Sequence, residues 1–247
     1  MHRYQILIEY VGTNFIGWQI QSKGQSIQKF SQIKISKLLK EKINLVGSGR
    51  TDSGVHAIEQ SAHFDCKKKI ENLDKFLKSI NYFLNTKLVS ITSIKKKSLN
   101  FHARFSAKQR IYTYIIFNRI SGPSIEKNRG WHIKKKLDLK LMKKGIKKLL
   151  GTNDFSTFRS SSCNAKSPIR TIKSIKIKKV KNKIQIQFKS QSFLQQQVRS
   201  MVGCLKYLAE KKWNLKQFES VFKSNFFLIC HPLFFSIEGP LILLKII

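Results

Sequence analysis

Acidic residues are scarce in this chain: 13 Asp and Glu stand against 48 Lys and Arg in 247 residues, a formal charge of +35. Self-repulsion of that size excludes an ordinary near-neutral surface and favours an anionic partner, nucleic acid or an acidic membrane before an acidic protein. Long apolar runs are missing as well. The longest, 226–230 and 241–244, fall far short of the roughly 20 residues that cross a bilayer. The N-terminus alternates like a strand and lacks the apolar region of a secretory signal, so the expectation is a cytoplasmic chain with no membrane span. Cys66, Cys163, Cys204 and Cys230 lie far apart, with no CxxC pair and no His at ligand spacing. That excludes a zinc ribbon or knuckle and leaves buried free thiols, with no metal expected. Neither GxxxxGK[ST] nor GxGxxG occurs, which removes the phosphate-loop and dinucleotide-binding readings and any nucleotide cofactor. With four Pro and no Ser/Gly tract there is no floppy linker.

What is present is a chain that is 41% hydrophobic, enough for about two modest cores. Alternating or helical spacing predicts strand 3–10, helix 26–42, strands 43–46 and 58–65, helix 71–84 and strand 87–94. A long strand pattern from 101 to 117 follows, then a turn at Ser121-Gly122-Pro123. Helix 138–150 is bounded by Asp138 as its cap and Gly151 as its stop. A hairpin through Ile175, Ile177, Ile184, Ile186 and Phe188 turns at Lys181-Asn182, and helices 193–210 and 214–223 and a strand 240–247 complete the chain. The fold class read from this order is α+β. Two packed α+β domains, 1–100 and 101–247, each have an antiparallel-rich sheet with helices on one face, and an active-site cleft lies between them.

Lysine supplies 39 of the 48 basic residues, in runs such as 67–69, 95–97 and 134–136 that suit sequence-blind attraction to phosphates. The nine Arg are the exceptions, placed where a planar fork or a stacking surface serves better than charge. Of the five Asp, three have structural explanations: Asp138 caps a helix, Asp74 sits in an early helical turn and Asp65 ends a strand. Asp52 and Asp154 remain. Asp52 lies in Gly47-Ser48-Gly49-Arg50-Thr51-Asp52-Ser53-Gly54-Val55-His56, where three of the twelve Gly fall within eight positions. Such a loop can present Arg50 and Asp52 to a cleft.

The run Gly49 to Ala57 resembles the signature of the TruA-type tRNA pseudouridine synthases. Five further blocks resemble that family in order: Ile8 to Gln21, Phe101 to Ala107, Tyr112 to Ile115, Gly151 to Arg159 and Phe193 to Gly203. The resemblance implies isomerisation of uridine to pseudouridine at tRNA positions 38 to 40 in the anticodon stem-loop, without cofactor, by a homodimer. By the same resemblance Asp52 is the essential carboxylate, acting as nucleophile or as general base. Arg199 is expected to pair with it, keeping it ionised. Tyr112 is expected to stack on the uracil, with its hydroxyl available for proton transfer. Arg50 either fills the space of the flipped uridine or clamps a phosphate. Arg104 and Arg159 contact RNA or shape a domain interface, His56 orients the loop and Asp154 caps a local turn. Val11, Asn85, Gln195 and Gln196 depart from the family pattern, which bears on RNA contacts and loop rigidity rather than on the reaction. The charge alone suits a non-catalytic RNA-binding protein equally well, whereas the core-like helices offer no basic amphipathic surface for a membrane.

Overall fold

Side chains alternating across a strand explain the centre of the N-terminal part. In a computed structural model that describes residues 1–223 and 241–246, β1 (His2–Tyr10) buries Tyr4, Ile6, Ile8 and Tyr10 and turns the residues between them to the other face. It pairs antiparallel with β3 (His56–Cys66) on one side and with β4 (Val89–Lys97) on the other. The short β2 (Val46–Gly47) pairs antiparallel with β3, and β10 (Leu241–Ile246) joins β3 in parallel at His56 and Ala57. Two helices complete this unit, α1 (Ile27–Leu39) and α2 (Leu73–Leu84). The Ser26 and Asn72 side chains cap them by accepting from the Lys29 and Lys75 amides, one of the four orphan donors in each case. The core runs from sheet to helix through rings, Tyr4 stacked on Phe64 at 5.8 Å and Phe64 beside Phe76 of α2 at 6.4 Å. Burying a ring such as Phe64 contributes about 2–3 kcal/mol.

The opposite face of β1 and β3 is polar. Arg3 grips Asp65 through two parallel bonds of 2.8 and 2.7 Å, a bidentate fork that holds the Asp65 carboxyl below its ordinary range. The Arg3 guanidinium also donates to the Phe101 carbonyl, the Ala103 amide donates to His63 Nδ1, and Arg110 donates to the Ser48 carbonyl. These bonds bind residues 99–110 to the first compact unit, which comprises Met1–Arg110 with Ile242–Ile247; the sequence reading set the boundary near 100. The strand expected from 101 begins only at Arg110. Before it, His102 and Ser106 close a turn on each other, the Ser106 amide donating to the His102 carbonyl and the His102 amide to Ser106 Oγ.

The second unit, Ile111–Leu241, is built on β5 (Arg110–Asn118), followed in sheet order by β9 (Lys183–Ser190), β8 (Ile169–Val180) and β7 (Gly151–Asp154), with β6 (Trp131–Ile133) parallel to β5. The β8–β9 hairpin turns at 181–182 with Lys181 left-handed, as the spacing predicted. Its core face carries Ile184, Ile186 and Phe188, all fully buried. Helix α3 (Leu139–Leu149) starts at Asp138, whose carboxylate accepts from the Lys140 and Leu141 amides; those bonds hold its pKa down. Gly151, at φ +85, follows its end. Helix α3 packs on α4 (Gln197–Ala209) and α5 (Leu215–Lys223), and Gly145 makes the α3–α4 approach possible, since a Cβ there would meet Leu208 Cδ2 at 2.7 Å. Helix α4 is buried on nearly every side. It starts four residues later than its apolar stripe suggested, because Gln196 is left-handed at φ 61 and the Gln197 side chain accepts from the Leu194 amide. Both units mix helices with strands, and the fold is α+β.

Cys66 and Cys204 are buried and Cys163 is half-buried, and none of the three is in a disulfide; Cys230 lies outside the described residues, as do the ends of the expected strand 240–247. Among the described residues no helix is long and apolar enough to cross a membrane.

Candidate active site

The loop between β2 and β3 is fixed by bonds on almost every residue. The Ser48 amide donates to the Ser61 carbonyl at 2.9 Å, which continues the strand pairing by one step. Arg110 Nη2 then holds the Ser48 carbonyl at 2.8 Å, and Gln60 Nε2 holds the Gly49 carbonyl at 2.7 Å. Thr51 is buried, its hydroxyl bonded to the Tyr10 hydroxyl at 2.8 Å and its carbonyl accepting from the Trp18 amide at 3.0 Å. Beyond Asp52, Ser53 Oγ donates to the Phe15 carbonyl and the Val55 amide closes a turn onto the Asp52 carbonyl. Gly54, at φ +75, supplies the left-handed step of that turn.

Close backbone approach explains why small residues flank the loop. A Cβ on Gly17 would meet the Thr51 carbonyl oxygen at 2.6 Å, and one on Gly12 would collide with the Val55 carbonyl. The Gly12 amide donates to His56 Nδ1 at 3.0 Å, which puts the ring proton of a neutral His56 on Nε2. His56 thus ties the start of β3 to the Gly12 amide. Asp52 emerges half-buried and Arg50 exposed; among the described residues Arg50 has no hydrogen bond or ion pair. The result is a rigid loop that presents a guanidinium and a carboxylate two residues apart. Arg104, on the neighbouring turn, is exposed and lies over the Phe105 ring at 5.9 Å.

In the second unit Tyr112 of β5 is half-buried, with its ring edge-on to Phe193 at 5.2 Å. Tyr114, two residues on, is fully buried; burial pushes its phenol well above the ordinary value, and the charge of Arg199 pulls the other way. Arg199 itself is half-buried on α4. Tyr112 thus meets Phe193, and Tyr114 feels the charge of Arg199. Arg159 follows a short turn whose Phe155 and Phe158 are core residues, and the next amide, Ser160, donates to the Gln195 carbonyl. The Asp154 side chain accepts from the Ser156 amide at 2.7 Å, a local turn cap. Asp52, Arg50 and Arg104 stand in the first unit, and Tyr112, Arg159 and Arg199 in the second. Of the departures from the family pattern, Asn85 ends α2 and bonds Ser90, and Val11 donates its amide to the Leu88 carbonyl.

Two stretches of the chain, residues 6–106 and 146–226, match the family model described as tRNA pseudouridine synthase, and they make up more than half of its length. The chain belongs to the tRNA pseudouridine synthase family. It is accordingly an isomerase. A protein named tRNA pseudouridine synthase A from Pelagibacter ubique is 74% identical over 232 residues, covering 94% of each chain. Another of that name, from Paramagnetospirillum magneticum, is 42% identical over 214 residues, 87% of this chain and 83% of the relative. The stretches matched to the synthase family hold Arg50, Asp52, Arg104, Arg159 and Arg199, while Tyr112 falls between them. Sequence reasoning overlooked the residues that hold the loop, chiefly Tyr10, Trp18, Gln60 and Arg110. A signal for Gln60 was there, since it occupies the core-facing register of β3 with Ala62 and Phe64, where an amide must serve a partner.

Proposed function

We propose that this synthase converts uridine to pseudouridine in the anticodon stem-loop of tRNA, at positions 38 to 40, with Asp52 as the essential carboxylate. The reaction breaks the bond from C1′ to N1, turns the uracil and joins C1′ to C5. The C5 proton leaves and N1 gains one, so no electrons are exchanged and no energy source is consumed. Asp52 starts this either by attacking the nucleoside or by removing a sugar proton. Arg199 serves as its ion-pair partner, and Tyr112 stacks on the uracil. Arg50 enters the space left by the flipped nucleotide, while Arg104 and Arg159 contact the RNA backbone. A homodimer in the cytoplasm completes the reading, with tRNA as its partner.

The observation that carries it is the braced loop: Thr51 and Gly49 are bonded on either side of Arg50, so the backbone that carries Arg50 and Asp52 is held before RNA arrives. Catalytic geometry fixed in advance costs nothing at the moment of reaction. The test is tritium release from unmodified tRNA labelled at uridine C5, comparing the wild type with Asp52→Ala while RNA binding by both is checked. Release by the wild type alone is expected. Tight binding with no release from either protein would instead favour a non-catalytic RNA-binding role.

A further inference from the structure

Residues 101–106 form a turn that holds itself rigid yet leaves a large ring in water. The Arg104 and Phe105 amides both point at His102 Nδ1, at 3.2 and 3.4 Å. The bonds between His102 and Ser106 close the turn, and the bond from the Ala103 amide to buried His63 pins it to the sheet. Even so, Phe105 is 77% exposed. The ring packs on His102 and under Arg104 and stands open elsewhere, on a turn whose backbone bonds do not depend on it.

The surroundings of that ring have one consistent chemistry. Phe105 lies on His102 with centroids 4.4 Å apart, and His102 meets His63 at 4.8 Å. His63 in turn meets the Phe101 ring at 6.0 Å. A cation stands at each end of this ladder, Lys97 Nζ 5.4 Å from the Phe101 centroid and Arg104 over Phe105. The turn is also tied to the Asp52 loop, since Arg110 Nη2 reaches both the Ser48 carbonyl, at 2.8 Å, and the Arg104 carbonyl, at 3.5 Å. Flat rings between cations, on a chain of charge +35, match unpaired nucleobases, which offer a π face to the ring and phosphates to the cations.

We infer that Phe105, held out by the 102–106 turn between His102 and Arg104, is a stacking platform for an unpaired nucleobase of the RNA, distinct from the uridine that reacts. This rests on the reading above that the substrate is RNA. The platform contributes affinity and register, keeping the strand beside the Arg50–Asp52 loop, and is tolerant of base identity because every base has a π face.

The experiment uses the full-length chain with an anticodon stem-loop RNA carrying 2-aminopurine at successive loop positions, whose fluorescence falls on stacking. Phe105→Ala and Phe105→Leu are expected to weaken binding about 5- to 100-fold and abolish the fluorescence drop at one loop position. Phe105→Tyr restores both. The slope of log K against log salt should stay at the wild-type value in all three, because no phosphate contact is removed, whereas Arg104→Ala should make it shallower. Leu and Ala variants that bind within twofold of the wild type and keep the fluorescence change overturn the inference. So does a change in oligomeric state on gel filtration, which would assign the ring to a contact between copies. Measuring tritium release in parallel separates this idea from the proposed reaction. Ring-dependent stacking without release by the wild type leaves the platform standing and removes the reaction, and release with ring-independent binding does the reverse.

Discussion

The hydroxyl pair Tyr10–Thr51 offers a direct measure of how firmly the loop beside Asp52 is held. Both residues are buried, 2% and 6% exposed, and their oxygens lie 2.8 Å apart. Tyr10→Phe or Thr51→Val removes one hydroxyl and takes this partner from the other in a place water does not reach. Each single variant should therefore lose about 1 kcal/mol of stability, the usual net contribution of one such hydrogen bond. In a chain of this size that is a fall of about 2–4 °C in Tm for each kcal/mol. The double variant removes that same bond only once and should cost little more than either single one, a coupling of about 1 kcal/mol. Activity should respond more sharply than stability. Thr51 is bonded directly to Asp52, and a displacement of about 1 Å at a reacting group can cost about 100-fold in rate. Urea unfolding of the four proteins gives the cycle, and tritium release from tRNA at saturating substrate gives kcat. Costs that add to within about 0.3–0.5 kcal/mol would refute the coupling. Wild-type kcat in both single variants would refute the claim that the bond positions the carboxylate.

His63 is held neutral: burial first, then the Arg3 and His102 charges, lower its pKa from 6.5 to about 4, against the opposing charge of Asp65. The unfolded chain takes up this proton below 6.5 and the folded one only near 4. Stability contributed by His63 is thus complete above the first value and is lost as pH falls toward the second. His63→Gln should flatten Tm against pH in that window, and an unchanged slope would sink the assignment. The Asp65 contribution is separable because its pKa is lowered from 3.8, mainly by the Arg3 bond, so its loss lies at still lower pH. In α3, Gly145→Ala gains about 1 kcal/mol of helix propensity. It also drives a methyl group to within 2.7 Å of Leu208 Cδ2 and 2.9 Å of Leu205 Cδ2, where overpacking costs about 1–3 kcal/mol. A lower Tm is expected, and a higher one would show that the leucines yield.

Legibility in the sequence followed the locality of the forces. Helix α3 could be read because both of its ends are written in single residues, Asp138 and Gly151. Strand β1 could be read because its neighbours bury one face and leave the other polar. The start of α4 was misread because Phe193 and Leu194 extend an apolar stripe through residues whose backbone is turned aside at Gln196. Apolar spacing records which side chains seek a core, and a left-handed residue leaves no mark on it. Residues 101–109 look like strand for a similar reason, although their amides go to His102, Ser106 and His63 side chains rather than to a neighbouring strand. At the site, an Asp in a Gly-rich turn is an everyday feature, and only likeness to a family singled out Asp52. The residues that position it, Tyr10 and Gln60, are 42 residues behind and 8 ahead in sequence, and only folding brings them to it.

The kind of bond used at the loop follows from the charge of the chain. With 13 acidic residues against 48 basic ones, carboxylates are scarce as partners for bracing a loop. Ion pairs form at Arg3 with Asp65 and at Lys206 with Glu210, for example. The bonds described at the loop come mostly from neutral groups, a tyrosine hydroxyl, a carboxamide, backbone amides and an imidazole that accepts, together with the Arg110 guanidinium. Attraction to phosphates and bracing of the loop are thereby separated in their response to salt. Attraction of the Lys-rich surface to phosphates weakens as the Debye length falls from about 10 Å at 0.1 M to about 3 Å at 1 M. Short hydrogen bonds in buried surroundings hardly respond over that range. Salt should accordingly raise KM steeply while kcat at saturating RNA stays nearly level, because ions compete for the encounter and leave the loop that carries Asp52 as it was. A loop braced by surface ion pairs would have lost both together.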